Sequence, residues 1–278
     1  MNRTGSLYVP GNSLFHRLDG AVKLVLFMAW TVMTYMFLDL RVFVPMLIVG
    51  IALLVTAGIP FKRMAFLFWL MIIFTVLNSI FIVLITPTFA TRLTGTDTPV
   101  IPLGYNTINS ETLFYVLTLS AKYLTLLPIT ILCIFTTQPS AFASSLNRIG
   151  VPYKIAYAVS IALRYIPDLT EEFRSTLNSM QARGMGITKE DGSIAQRIRN
   201  LAAVVVPVLQ SALHRIDSVT NAMELRGFGT QKRRTWYSGK DMEALDWTFA
   251  LLGIVLLASG IWLKVKVLHG FWYPFSYI

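Results

Sequence analysis

The chain has 278 residues, of which 55% are hydrophobic and 14% charged, against about 25% charged residues in an average soluble domain. Its mean hydropathy is +0.61, which excludes an ordinary water-soluble globule of this size. Lys and Arg number 24 against 14 Asp and Glu, a net charge of +10; in so apolar a chain this reads first as membrane topology and gives no support for nucleic acid. The single cysteine, Cys133, excludes a disulfide framework and a thiolate metal site. Three scattered histidines, His16, His214 and His269, offer no metal centre. Met1 to Asp19 is polar and lacks the apolar core of a signal peptide.

In chain order, five segments carry the ~20 largely apolar residues of a spanning helix: about Val22–Leu38, Val42–Gly58, Met64–Ile85, Thr112–Phe135 and Trp247–Leu263. The expected fold is therefore an all-α integral membrane protein. It has four spans in residues 1–135, a cytoplasmic region in 136–243, and a fifth span with a tail in 244–278. Thr86–Ser110, rich in Thr, Pro, Gly and Asn, reads as irregular structure. Trp69, Trp247, Trp262, Trp272 and Tyr273 read as interface anchors. With the N-terminus cytoplasmic, nineteen Lys and Arg fall inside, four (Arg41, Arg92, Lys264, Lys266) fall outside, and Lys122 lies within the fourth span. The positive-inside rule thus puts the N-terminus and the 136–243 region in the cytoplasm and the C-terminus outside. Lys122 reads as snorkelling to the outer interface from near the start of its span.

Region 136–243 has no uncharged run long enough to span. It reads as a short helix near Ser140–Arg148 and two long amphipathic helices, about Tyr153–Arg183 and Ile194–Arg226. Ile155, Val159, Ala162, Ile166, Leu169 and Phe173 keep helical spacing in the first, and Val205, Leu209, Leu213, Ile216 and Met223 in the second. Pro167 and Pro207 are expected to kink these helices without ending them. Ala156, Ala158, Ser160, Ala202 and Ala203 are small enough to let helices cross closely. Arg164 and Asp168, spaced i, i+4, are expected to pair within the helix. Glu171 and Glu172 read as solvent-facing, His214 as packed or half-exposed, and Lys232-Arg233-Arg234 as a solvated cytoplasmic patch.

The two long helices end alike, in Met180-Gln181-Ala182-Arg183-Gly184-Met185-Gly186 and Met223-Glu224-Leu225-Arg226-Gly227-Phe228-Gly229. Two readings stand side by side. Arginine suits the negative end of a helix and glycine caps it, which explains Arg-Gly and nothing further. Alternatively, an arginine on a rigid tip presents a planar fork to a partner's carboxylates and carbonyls, and two such tips suit a partner with two similar sites.

On these residues the chain resembles the transmembrane T component (EcfT family) of energy-coupling factor transporters, a subclass of ABC importers. Ile161-Ala162-Leu163-Arg164-Tyr165-Ile166-Pro167-Asp168-Leu169 and Val206-Pro207-Val208-Leu209 are similar to the family's two coupling helices. Tyr8-Val9-Pro10-Gly11-Asn12-Ser13 and His16-Arg17-Leu18-Asp19 resemble the subgroup whose energising module is shared among several substrate-binding proteins. Gly20-Ala21-Val22-Lys23 departs from the family's usual Pro-Arg-x-Lys, and Leu225 stands where Ala is usual.

The resemblance implies a non-catalytic coupling subunit. Ala182-Arg183-Gly184 and Leu225-Arg226-Gly227 would bind two ABC-type ATPase subunits, one tip to each. The long helices would carry their motion to a substrate-binding membrane S component for vitamin or micronutrient uptake. ATP and Mg would belong to the ATPases, and the chain itself would hold no cofactor or metal. The sequence agrees in having no Gly-x-x-x-x-Gly-Lys-Ser/Thr phosphate loop. An autonomous secondary transporter fits less well, because there are no inverted halves and almost no intramembrane ionisable groups. An intramembrane lipid or prenyl transferase lacks a convergent acidic or histidine cluster.

Overall fold

The computed structural model describes residues 8–95, 98–103, 106–186, 193–231, 235–236, 239, 242–268 and 270–274. The basic run Lys232-Arg233-Arg234, along with Arg3 and His269, lies outside the described residues. In order, the elements are α1 (Leu14–Arg17), α2 (Gly20–Met36), α3 (Leu40–Ala57), α4 (Phe61–Ile85), α5 (Phe89–Thr94), β1 (Pro99–Leu103), β2 (Asn106–Asn109), α6 (Ser110–Thr136), α7 (Pro139–Arg148), α8 (Tyr153–Ala182), α9 (Ile194–Leu225) and α10 (Ala244–Lys266). They form two compact units, one within residues 8–138 and 240–278, the other within 139–239.

The first unit is an apolar helix bundle, and the chain is an all-α, multi-pass membrane protein. α3, α4, α6 and α10 are long and apolar enough to cross a bilayer. The first expected span, α2, is a shorter apolar helix of 17 residues, about 26 Å at 1.5 Å per residue. It runs parallel to α10 at a constant offset in register. The Asp19 N–H donates to Asp246 Oδ1 at 2.8 Å, Gly253 faces Leu26, Gly260 faces Met33, and the Lys264 ammonium lies over the Phe37 ring. Glycines seven residues apart let α10 approach α2 closely. At Gly260 a Cβ would sit 1.8 Å from Met33 Sδ.

Packed against α3, α6 carries much of the core: Ile129, Ile131, Leu132 and Phe135 are buried with Phe37 and Phe43, and Gly50 admits the Pro128 ring. The Trp30 indole N–H donates to the Thr125 carbonyl at 3.1 Å. The last carbonyls of α6 have no partners within their own helix, and residues distant in sequence supply them. The Val9 N–H donates to Phe135 O at 2.9 Å, and the buried Lys23 ammonium to Thr136 O at 2.8 Å. Asp19 caps α2 by accepting from the Ala21 N–H at 2.7 Å. Asp246 takes the Glu243 N–H in a capping box at the start of α10. His16 Nε2 meets Val9 O at 2.9 Å, so Nε2 carries the proton and Nδ1 accepts from the Ser13 hydroxyl at 2.6 Å. The N-terminal stretch Tyr8–Asp19 thus works as a clasp that satisfies helix ends.

Three expectations change in this unit. Thr86–Ser110 is not wholly irregular: it holds α5 and an antiparallel hairpin with Ile101 opposite Ile108, since Val100 and Ile101 favour extended backbone where Gly and Pro alone suggested a loop. Tyr273 is no lipid-facing anchor. It is buried, packs edge-on against Phe114, and its hydroxyl meets the Ser110 hydroxyl at 2.7 Å, because the tail folds back onto the start of α6. Trp272 lies under the Arg41 guanidinium at 3.9 Å and beside Phe114. Finally, Lys122 is the thirteenth residue of the 27 in α6, not near its start. Its ammonium sits 4.9 Å from the ring of Tyr35, one residue from the end of α2.

Candidate docking site at two helix ends

α8 has 30 residues and α9 has 32, about 45 and 48 Å of helix. Pro167 and Pro207 lie inside them without ending them. Each proline removes the N–H that would reach the carbonyl four residues earlier. Few residues are buried along either helix: Tyr153 and Ala156 on α8, and Val204 on α9. Of the small residues expected at a close crossing, Ala156 alone is fully buried, and Ala158 and Ala202 are exposed.

Both helices stop in the same way. Gly184 has φ +86° and Gly227 φ +67°, left-handed values that only glycine reaches without a steric penalty. The Gly184 N–H donates to Gln181 O at 2.9 Å and the Met185 N–H to Met180 O at 3.1 Å. The Gly227 N–H donates to Glu224 O and the Phe228 N–H to Met223 O, both at 2.9 Å. These are two complete Schellman caps, with arginine as the C-cap residue just past the last helical position in each (φ −87°, ψ 10° at Arg183; φ −85°, ψ 9° at Arg226). Such a cap brings the side chain three residues before the end against the one just beyond the glycine. Those are Met180 with Met185, and Met223 with Phe228, all half-buried. The shared methionine and the shared bulky apolar residue are therefore consequences of the cap and not a separate docking signal. The arginine is different, because the cap does not require it. Arg183 and Arg226 are both exposed, and Leu225 beside the second is 90% exposed.

The two helices are antiparallel and related by a shift of 43 residues. This shift carries Met180 to Met223, Arg183 to Arg226 and Gly184 to Gly227, and it applies to contacts as well as identities. Beyond the second tip, Phe228 packs on Tyr157 at 4.8 Å and Tyr153 at 5.7 Å. Beyond the first tip, the Asn200 amide donates to Gly186 O at 2.7 Å, and Asn200 is the residue to which the shift carries Tyr157. Each tip thus rests on the base of the other helix. Eleven residues of helix on either side of the Glu172–Arg215 contact hold the two arginines about 33 Å apart.

At the centre, Arg215 of α9 donates to Glu172 of α8 at 2.8 Å with its guanidinium 5.7 Å from the Tyr165 ring. The expectation that Glu172 faces solvent is corrected by this pair; no local spacing signalled it, although Glu172 and Arg215 each precede a tip arginine by eleven residues. Arg164 and Asp168 are both exposed and form no ion pair. A basic residue before an acidic one is the weaker order for an i, i+4 pair, and Pro167 interrupts that turn. His214 is exposed.

A model of the family described as CbiQ, cobalt transport protein, matches residues 11–237. The transmembrane protein EcfT of the energy-coupling factor transporter from Bacillus selenitireducens is 32% identical over 240 residues, 83% of this chain and 85% of that one. Its counterpart from Listeria innocua is 28% identical over 274 residues, 92% and 96% of the two chains. A Bifidobacterium longum protein named as an ABC transporter ATP-binding protein is 32% identical over 259 residues, 90% of this chain; the chain spans about a third (32%) of that relative's length. The bundle and its paired helix ends therefore define a membrane subunit of a transporter. The chain belongs to the CbiQ family and is an EcfT-type transmembrane component of an energy-coupling factor transporter.

Proposed function

We propose that this chain is the non-catalytic coupling subunit of an energy-coupling factor importer. Ala182-Arg183-Gly184 and Leu225-Arg226-Gly227 dock two ABC-type ATPases, and α8 and α9 transmit their motion to a substrate-binding membrane S component that carries a vitamin or similar micronutrient. The observation that carries this reading is the pair of exposed arginines on identical caps, related by one shift and held about 33 Å apart. A globular ATPase domain of ~250 residues is about 45 Å across, so tips about 33 Å apart reach two such subunits side by side on the flanks that face each other. The Schellman caps account for the repeated methionine, the first glycine and the bulky apolar residue, while Arg183, Arg226 and Leu225 are exposed and suit a partner.

The Bifidobacterium longum relative supports the same partner class, since a segment like this chain occurs there in a protein named for ATP binding. The apolar stripe of α9, with Ile194, Ile198, Val205, Leu209, Leu213 and Ile216 all about half exposed or more, suits a second membrane protein such as the S component. ATP and Mg belong to the ATPases, and this chain holds no cofactor or metal of its own. The uneven distribution of Lys and Arg supports a cytoplasmic N-terminus and 136–243 region and an outside C-terminus.

Co-expression with two candidate ATPases and an S component, followed by purification through a tag on one ATPase, tests the reading. The wild-type chain is expected to co-purify and to support uptake. Arg183→Glu with Arg226→Glu is expected to abolish both, more severely than the two alanines, because charge reversal adds repulsion. An intact, active complex with both arginines reversed overturns tip docking.

A further inference from the structure

Glu172 and Arg215 are separated by 43 residues, the same shift that relates the two tips. They are therefore equivalent positions of the two helices, and they touch each other. Equivalent residues of an antiparallel pair meet only where the two-fold axis relating the helices passes, so this ion pair lies on the pseudo-two-fold axis of α8 and α9. It is also equidistant from the ends, eleven residues or about 16 Å of helix from each arginine. Two like charges at such a self-facing position would repel; this chain places one of each sign there. The contact is part-buried, with side-chain exposures of 35% for Arg215 and 22% for Glu172, and Tyr165 backs the guanidinium.

We infer that the Glu172–Arg215 pair is the pin of the coupling device: Arg215 is a positioning residue that fixes the crossing of the two helices, so that displacement at one arginine tip is passed to the other. The inference rests on the proposed docking of the tips and names the element within the chain that makes the two docking events interdependent. The ring contacts of Phe228 at one end and the Asn200 bond at the other hold the ends of the pair. The middle depends on this ion pair, the one described salt bridge between α8 and α9. With the pin removed, each tip can still carry its arginine, but the two tips lose their fixed spacing.

The symmetry sets the test. Exchanging the charges, Glu172→Arg with Arg215→Glu, returns a pair of the same geometry about the axis. The new arginine then faces Val208, to which the shift carries Tyr165, so the exchange loses the ring contact; adding Val208→Tyr with Tyr165→Val restores it. Spin labels at the exposed positions 178 and 221, related by the same shift and outside the docking triplets, report tip spacing by pulsed dipolar spectroscopy in a Cys133→Ala background, and the assembled transporter in liposomes reports uptake per ATP hydrolysed. Glu172→Gln and Arg215→Gln are expected to broaden the distance distribution and to lower uptake per ATP about 5-fold or more, the lower range of a site-to-site coupling, with ATPases still bound. The charge exchange is expected to restore both readouts. An unbroadened distribution, unchanged uptake per ATP, or a charge exchange that fails to restore a defective single variant overturns the pin. A wild-type chain that retains no ATPase instead refutes the docking reading, whatever the spin labels show.

Discussion

Replacing Gly227 by alanine isolates the conformational demand of the tip. A Cβ at Gly227 would meet the nearest atom, Thr230 Oγ1, only at 3.6 Å, and at Gly184 nothing lies within 4 Å. Neither substitution clashes, so the cost is torsional. Holding alanine at φ +67° costs about 1–2 kcal/mol, and the two cap hydrogen bonds return roughly 0.5–1.5 kcal/mol each. The capped and opened ends thus become close in energy, and the tip frays for an appreciable fraction of the time. If Arg226 docks only from the capped end, affinity for the ATPase pair falls with the capped fraction, about 2-fold where the two ends are equal in energy and about 6-fold where the open end leads by about 1 kcal/mol. Asparagine tolerates left-handed backbone at φ near +50 to +70°, so Gly227→Asn should lose less than Gly227→Ala. At Gly184, where φ is +86°, asparagine should help less. The assay is a titration of the detergent-solubilised chain with the purified ATPase pair. Wild-type affinity for Gly227→Ala, or equal losses for alanine and asparagine at position 227, refutes the requirement for a capped tip.

Three further outcomes are expected in the membrane unit, each read by thermal unfolding of the purified chain. Gly260→Ala overpacks the α2–α10 contact against Met33 and should cost about 1–3 kcal/mol; adding Met33→Ala should recover much of this, and Gly253→Ala, 3.3 Å from Leu26 Cδ2, should cost less. Additive losses in Gly260→Ala with Met33→Ala would contradict the contact. Asp246→Ala strands the buried Asp19 N–H and the Glu243 N–H and should cost about 1–3 kcal/mol, whereas Asp246→Asn, which keeps one of the two acceptor oxygens, should cost less; equal losses would show that the hydrogen bonds are not the cause.

His16 is held below its ordinary pKa of 6.5, chiefly by burial and further by the Lys23 charge, against the Val9 carbonyl that raises it. The unfolded chain binds this proton more readily, so the contribution of the neutral imidazole is complete above pH 6.5 and shrinks as pH falls from there through the folded value. His16→Gln should flatten that part of the stability profile; an identical slope in wild type and variant would contradict it.

Sequence reasoning reached α7, α8 and α9 to within a residue or two because each carries a strong helical period and a Gly or Pro stop. It failed where contacts join distant segments. The buried Tyr273 looked like an interface aromatic, and the hairpin at 99–109 was hidden by a loop-like composition. The Glu172–Arg215 pair carries no local signal, although equal spacing from the two Arg-Gly tips was available to suggest it. The methionine and the bulky residue of the repeated motif serve the Schellman cap, a role that sequence identity between the two ends does not separate from docking.

The central claim is that each tip enters its own ATPase. A photoreactive amino acid placed singly at position 182 or 225 of the assembled transporter tests this most directly. The account predicts a crosslink from both positions to ATPase subunits, each to a different subunit when the two ATPases are distinguishable by mass. Crosslinks from both positions to one subunit, or to none, would contradict it.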